Sequence, residues 1–458
     1  MLNNKINLFL FSLILFIILF FEQNITYILL GIIALAIVYQ LGKKSILSLI
    51  IIAELILTGN VLEKYRPYIT LVSLLLLLYF FLSDYGLKLD LYPKIPRPLL
   101  YLILFILLTV FISSIFSIDI WTSLTASFHF LVFFLLCYLL YSQIKDRTVI
   151  YYYLLSFFIS VIILGYSMIL EFTQKGLSFY HESAVYRVAG IYENPNYVGL
   201  LLVITIPLTL AFIMLLTKQR KSILVFLFFF LCFQILLLIL ADSRASALSI
   251  LISSIIVFYF SSTKNKLISI SVLSLIVIPL LLFSDIVEIV EIYLRLDRVG
   301  TREMFWESGI EIISNNYLTG VGADTFDKVF YSFAPSTITD LYKSGTWYVG
   351  KPHPHNLLLY FWAENGILGL LTFISFFYFF FSVIYKTLRI HSQISGFDKI
   401  LVITILSIGV GIFFRSFFEV TGVLTYGFIT RDLPFWIIFI LLTYIYQYYN
   451  NISKKRIL

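Results

Sequence analysis

The chain of 458 residues is 60% hydrophobic and only 12% charged, about half the charged share of an ordinary soluble protein. That excludes a soluble enzyme and indicates a polytopic membrane protein, because an open sheet could not satisfy its backbone in hydrocarbon. The formal charge of +7 lies between apolar runs, so it reads as membrane topology and not as a stripe for nucleic acid.

Apolar runs fall at residues 5–21, 25–41, 45–62, 68–84, 98–117, 120–143, 149–172, 196–216, 222–241, 245–261, 267–284, 356–385, 398–421 and 433–449. Each is long enough to cross roughly 30 Å of hydrocarbon as a helix, so an all-α bundle of about 12 to 14 transmembrane helices is expected. The first run follows Lys5 and ends in Phe21-Glu22-Gln23-Asn24 with no small-residue cleavage site, so it reads as a membrane helix and not as a signal peptide. Cys137 and Cys232 sit inside apolar runs, which argues against a disulfide framework or a thiolate metal site.

Basic residues concentrate in alternate loops: Lys43 and Lys44, Lys88, Lys94 and Arg97, Lys145 and Arg147, Lys218 to Lys221, Lys264 and Lys266, Lys386 to Lys399, and Lys454 to Arg456. The positive-inside rule makes these cytoplasmic, with both termini. The expected layout is N-terminal helices at 1–172, central helices at 173–284, a large outer loop at 285–355 and C-terminal helices at 356–458.

Every polar cluster of interest falls in outer segments. In Arg187 to Tyr197, Asn194 caps a helix that Pro195 opens. Arg187, just before that N-terminus, builds an anion site, since a guanidinium forks around phosphate oxygens and the helix dipole adds attraction. A contact to lipid headgroups or Glu193 is the plainer alternative. Arg244 lies in the tight turn Ala241-Asp242-Ser243-Arg244, where it either joins that site or snorkels to the interface beside a capping Asp242 or Ser243.

Arg302, near Arg295 and Arg298, opens the stretch Thr301 to Ile313. Its Met304, Phe305, Ile312 and Ile313, set against Glu303, Glu307 and Glu311, predict an amphipathic helix at the membrane surface. Several arginines from separate loops fit a polyanionic headgroup such as a pyrophosphate.

His355 follows Lys351-Pro352-His353-Pro354. Its imidazole can take a proton near neutral pH and so could act as general base toward a sugar hydroxyl. His355 with Asn356 equally fits a capping and interface pair. Glu364, further along the helix, is expected to orient groups deeper in a cavity that Asn196, Asn356 and Arg415 would also line. Glu54, His129 and Arg415 are charges or potential charges inside apolar runs, where an unpaired charge is costly. Arg415 and Glu419, at i and i+4, can neutralise each other on one helix face. Gly366 and Gly369 permit close helix packing. No Walker-type glycine loop, D-x-D pattern or zinc signature occurs, so neither cofactor nor metal is expected and a lipid-linked donor suits the topology.

His355-Asn356, nine residues, then Gly366-x-x-Gly369 resembles the H-[NSQ]-x9-G-x-x-G motif of the O-antigen ligase and polymerase superfamily of membrane glycosyltransferases. Asn194-Pro195-Asn196 after Arg187, Ser243-Arg244, Arg302 with Trp306, and Gly320-Val321-Gly322 resemble its other recurrent patches. The resemblance runs from about Arg187 to Gly369. It implies a metal-independent, GT-C type enzyme of the bacterial cytoplasmic membrane, using an undecaprenyl-pyrophosphate-linked oligosaccharide as donor and a glycan or glycolipid as acceptor at the outer face. Arg187, Arg244 and Arg302 would then hold the pyrophosphate, and His355 would activate the acceptor for inverting attack. Leu370 and Leu371 stand where ligases often carry hydroxyl residues, and the Arg187 to Gly190 spacing is narrower than polymerase patterns show. The motifs therefore leave ligase and polymerase unseparated. The alternatives are a protein O-oligosaccharyltransferase and a transporter or flippase for lipid-linked saccharide. Other polysaccharide-assembly membrane proteins are the expected protein partners.

Overall fold

The computed structural model describes residues 42–56, 65–182, 187–192, 194–216, 221–260, 299–336, 351–390, 394, 396–426 and 428–457. The expected spans at 5–21, 25–41 and 267–284, with Arg295 and Arg298, lie outside the described residues. Among those described, the helices are α1 (Lys43–Ile56), α2 (Arg66–Tyr85), α3 (Arg97–Ile115), α4 (Ile120–Ser142), α5 (Arg147–Glu182), α6 (Pro195–Leu216), α7 (Lys221–Ala241) and α8 (Arg244–Tyr259). They continue as α9 (Val299–Asn315), α10 (Phe326–Phe333), α11 (Leu357–Ile390), α12 (Gly396–Arg415) and α13 (Ile429–Ile457), with no strand among the described residues. Nine of them, α2 to α7 and α11 to α13, are long and apolar enough to cross a membrane. The chain is an all-α polytopic membrane protein.

The starts follow local rules. Asp119 accepts from the Thr122 N–H at 3.2 Å to cap α4, and Pro67 and Pro98 occupy the first turns of α2 and α3, where no intrahelical N–H is lost. Burial then sorts the helices. In α13 and α6 the most apolar windows are 83% and 78% buried, against 28 to 33% for α2, α3 and α7. α6 packs on α7, α8 and α12, while α13 packs on α11, α4 and α1. The outer helices turn large apolar side chains outward, such as Leu104, Leu108 and Phe111 on α3 and Phe226 and Phe229 on α7, as a lipid-facing surface requires.

The amphipathic helix expected at Thr301 to Ile313 is present as α9. Its apolar stripe, read from the sequence as facing a membrane surface, buries Phe305, Ile312 and Ile313 while the helix packs on α11 and α10. The glutamates Glu303, Glu307 and Glu311 stay exposed on its other face.

α11 is broken within its length. Gly366 sits at φ 58°, ψ −152°, which is non-helical, so the preceding carbonyls lose their intrahelical donors. A loop from the α9–α10 connection supplies replacements: Val321 N–H donates to the Ala363 carbonyl at 3.0 Å and Gly322 N–H to the Glu364 carbonyl at 2.9 Å. Ser113 Oγ of α3 adds a 2.7 Å bond to the Glu364 carbonyl. The approach is backbone on backbone, since a Cβ on Gly366 would lie 2.1 Å from the Leu318 carbonyl oxygen and one on Gly320 2.2 Å from that of Glu364. The close packing expected of Gly366 is thus made with this loop.

At the end of the bundle away from this loop, cations meet acids. Lys43 and Lys145 pair with Asp84, Lys44 pairs with Asp146 at 2.8 Å, and Arg147 pairs with Asp398 at 2.6 Å.

Gly86 provides an internal control for the broken helix. It shares the backbone conformation of Gly366, at φ 59° and ψ −147°, but a Cβ there meets nothing within 4 Å. Gly86→Ala should carry only conformational strain, about 1–3 kcal/mol, whereas Gly366→Ala must also displace the loop. Thermal unfolding in detergent should show the larger loss for Gly366→Ala, and equal losses would overturn this account of the loop.

Candidate functional site

Four chain segments converge at the end of the bundle where α11 begins. Asn194 accepts from the Asn196 N–H at 2.9 Å through its side chain, which starts α6 and fixes Asn196. The Asn196 amide then links two charged groups: its Oδ1 accepts from Arg187 Nη2 at 3.1 Å, and its Nδ2 donates to Glu419 Oε1 at 2.7 Å. Arg187 Nε donates to the Ala241 carbonyl at the end of α7 at 2.9 Å. Three residues on, half-buried Arg244 opens α8 at the same end.

His355 reaches Glu419 from α11. Asn356 caps that helix, its Oδ1 accepting from the Leu359 N–H at 3.1 Å, and the Leu357 N–H donates to the Ser416 carbonyl at 2.7 Å. The second of these bonds ties the start of α11 to the segment after α12. His355 takes φ 46°, a left-handed conformation uncommon outside glycine, and its Nδ1 lies 3.4 Å from Glu419 Oε1. Its Nε2 has no hydrogen-bond partner among the described residues, and the side chain is 27% exposed over a Glu419 only 2% exposed. Arg302, from α9, completes the ring with Nη2 3.6 Å from the same Glu419 oxygen. The edge of Phe305 packs against the imidazole, with ring centroids 5.7 Å apart.

Arg415 and Glu419 do not form the expected ion pair within 4 Å among the described residues, because the Arg415 guanidinium spends its donors elsewhere, although the Glu419 N–H still donates to the Arg415 carbonyl at 2.9 Å. Arg415 Nη1 donates to the Thr421 carbonyl at 2.6 Å, Nη2 to the Asn196 carbonyl at 2.8 Å and Nε to Ser246 Oγ at 3.3 Å. It is a buried clamp that joins α6, α8 and the loop after α12. Glu419 is thereby free to serve the site. Burial pushes the Glu419 carboxyl up, but the facing His355, then Arg415 and His353, outweigh that and hold it at about 2. Burial and the neighbouring His355 push His353 down to about 3, so at neutral pH it carries no charge.

Glu364 stands apart from this ring. Its carboxylate accepts from the Asp324 N–H at 3.0 Å and the Phe326 N–H at 2.8 Å, so it caps α10 and holds the loop that docks on broken α11. Glu54, buried in α1, accepts from Thr70 Oγ1 of α2 at 3.1 Å, and His129 is exposed on α4. Two participants were not singled out by the sequence. Glu419 was read only as a neighbour of Arg415. Arg431 stacks its guanidinium over Tyr197 at 4.8 Å and Phe428 at 4.0 Å beside the site. Arg431 lies in the first turn of α13, whose Pro434 is inside the helix, and the R-D-L-P pattern at the start of the last apolar run was the one signal for it.

The fold and the site define an all-α polytopic membrane protein with an imidazole–carboxylate pair ringed by arginines at one end of the bundle. Residues 205–374 match the family model described as O-antigen ligase, which supports assignment to the O-antigen ligase and polymerase family. The match takes in Arg244, Arg302, His355 and Glu364; Arg187, Asn196, Arg415 and Glu419 lie outside its limits. No curated protein matches the chain.

The depressed Glu419 pKa has a definite sign. Its contribution to stability is present above the ordinary carboxyl value of 4.5 and is lost as pH falls toward about 2. Acid thermal unfolding should therefore be steeper for the wild type than for Glu419→Gln across that window. Parallel profiles would show that Glu419 is not held ionised by its neighbours.

Proposed function

We propose that the protein is a membrane glycosyltransferase of the O-antigen ligase and polymerase family that transfers an undecaprenyl-pyrophosphate-linked oligosaccharide to a saccharide acceptor. The observation that carries this reading is Glu419, a buried carboxylate that faces His355 Nδ1 and Arg302 at one aperture. In the tautomer with the proton on Nδ1, His355 donates to Glu419 and offers Nε2 as base. As the acceptor oxygen forms its bond to the anomeric carbon, its proton passes to Nε2 and the bond from that carbon to the pyrophosphate oxygen breaks. Glu419 steadies the imidazolium, and the leaving lipid pyrophosphate takes the bonding electrons. Arg187, Arg244 and Arg302 supply positive charge where that anion develops, and Arg431 is a fourth candidate for the role.

In this reading the reaction takes place at the outer face. The cations of the opposite end, Lys43, Lys44, Lys145 and Arg147 among them, support a cytoplasmic position for that end by the positive-inside rule. Catalysis of this kind sits in a GT-C type bundle and serves the synthesis of capsule, exopolysaccharide or O-antigen.

The test is a deletion strain complemented with wild type, His355→Ala or Glu419→Gln at matched membrane levels, together with transfer by the purified protein. His355→Ala should lower turnover about 10²- to 10⁴-fold. Glu419→Gln should lose less, in kcat more than in the KM for donor. Loss of long glycans with lipid-linked single units remaining identifies a polymerase, and long glycans held on the lipid identify a ligase. Full rescue by His355→Ala would leave the imidazole as a capping residue and end the proposal.

A further inference from the structure

A second polar site lies at the end of the bundle opposite His355. The start of α3, the end of α11 and the last turns of α13 enclose a cavity of about 560 Å³, within the size range of small-ligand sites. Three cations line it from separate elements: Lys94 in the approach to α3, Arg97 in its first turn and Lys386 near the end of α11. No acidic residue is among its lining residues.

The cations Lys43, Lys44, Lys145 and Arg147 at the same end each meet an aspartate, whereas the three around this cavity gather at one place without one. Among the described residues none of Lys94, Arg97 and Lys386 has a carboxylate within the 4 Å reach of an ion pair. Three like charges around one cavity repel each other unless an anion joins them. The α3 N-terminus, with no side-chain cap, adds the positive end of its dipole. Gln447 Nε2 donates to the Lys94 carbonyl at 2.7 Å and fixes that segment against α13. The cavity walls are apolar on the membrane side, with Leu99, Phe379 and Val383, and Leu100 and Leu104 of α3 continue that surface outward.

We propose that this cavity binds the phosphate headgroup of an anionic phospholipid, whose chains lie along the exposed face of α3. The cations and the helix dipole recognise the phosphate, and the apolar wall distinguishes a lipid from a free phosphate. The site is independent of the chemistry proposed at His355.

The test is native mass spectrometry of the delipidated full-length protein, titrated with phosphatidylglycerol, phosphatidylcholine or glycerol 3-phosphate. The wild type should retain phosphatidylglycerol over phosphatidylcholine by roughly tenfold or more, given about 1 kcal/mol for each basic residue near an anionic headgroup. Lys94→Gln/Arg97→Gln/Lys386→Gln should lose that preference. Lys386→Gln alone, an exposed substitution that folding tolerates, should reduce it severalfold. Equal binding of the two phospholipids by the wild type, or an unchanged preference in both variants, would overturn the proposal. Displacement of phosphatidylglycerol by equimolar glycerol 3-phosphate would assign the cavity to soluble phosphate and overturn its lipid specificity.

Discussion

A backbone polar group left unpaired in hydrocarbon costs several kcal/mol, so a membrane helix can break only where something else satisfies its exposed carbonyls. Gly366 creates such a break in α11, and the segments packed around it repair it. The Gly320-Val321-Gly322 loop brings backbone donors, Ser113 brings a hydroxyl, and Glu364 holds the loop by receiving the N–H of Asp324 and that of Phe326, the first residue of α10. The contacts reach beyond the pair: Ser123 Oγ of α4 donates to the Ala323 carbonyl at 2.8 Å, and Ile118 N–H to that of Val321 at 3.0 Å. Glycine lets the backbones approach this closely at Gly366 and Gly320, while a Cβ on Gly369 would meet the Phe361 carbonyl of the same helix and one on Gly322 the Ser117 side chain. The repair fixes the first part of α11 and with it the position of His355.

Arg415 solves the same problem by a different route. As a buried cation it would be destabilising alone, but it spends its donors on two carbonyls and two hydroxyl groups. The positive charge still contributes to the field at Glu419. One residue therefore ties three helix ends together and helps keep a buried carboxylate ionised. Removing one partner from so buried a network typically costs several kcal/mol, so the site and the fold share their supports.

The helical class and most described spans were legible because hydropathy at membrane length is a strong local signal. So were the caps: Asn194 and Asn356 do what their positions before Pro195 and Leu357 suggest. The convergence of Arg187, Asn196, Arg302 and His355 was legible only through motif spacing, since no local rule places residues from α6, α9 and α11 together. Glu419 was misplaced for a physical reason. The i,i+4 spacing survives in the backbone, where the Glu419 N–H donates to the Arg415 carbonyl at 2.9 Å, but the two side chains take their partners from other segments, which spacing along one helix cannot show. The Asn196 partner of Glu419 lies 223 residues away, beyond any periodicity argument. Glu364 was drawn toward the cavity because its role as a cap for α10 depends on a fold-back of the chain that sequence periodicity does not encode.

The two ends of the bundle handle charge in opposite ways, and the contrast follows from their chemistry. At one end Asp84, Asp146 and Asp398 neutralise Lys43, Lys44, Lys145 and Arg147 in direct pairs, which leaves Lys94, Arg97 and Lys386 outside those pairs. At the other, three side chains share one carboxylate: Arg302, His355 and Asn196 all face the same oxygen of Glu419. Glu419 thereby fixes the geometry of His355 beside the Arg302 guanidinium. A base must be oriented and an anionic leaving group must be attracted, and sharing a single buried carboxylate among several donors meets both requirements at once.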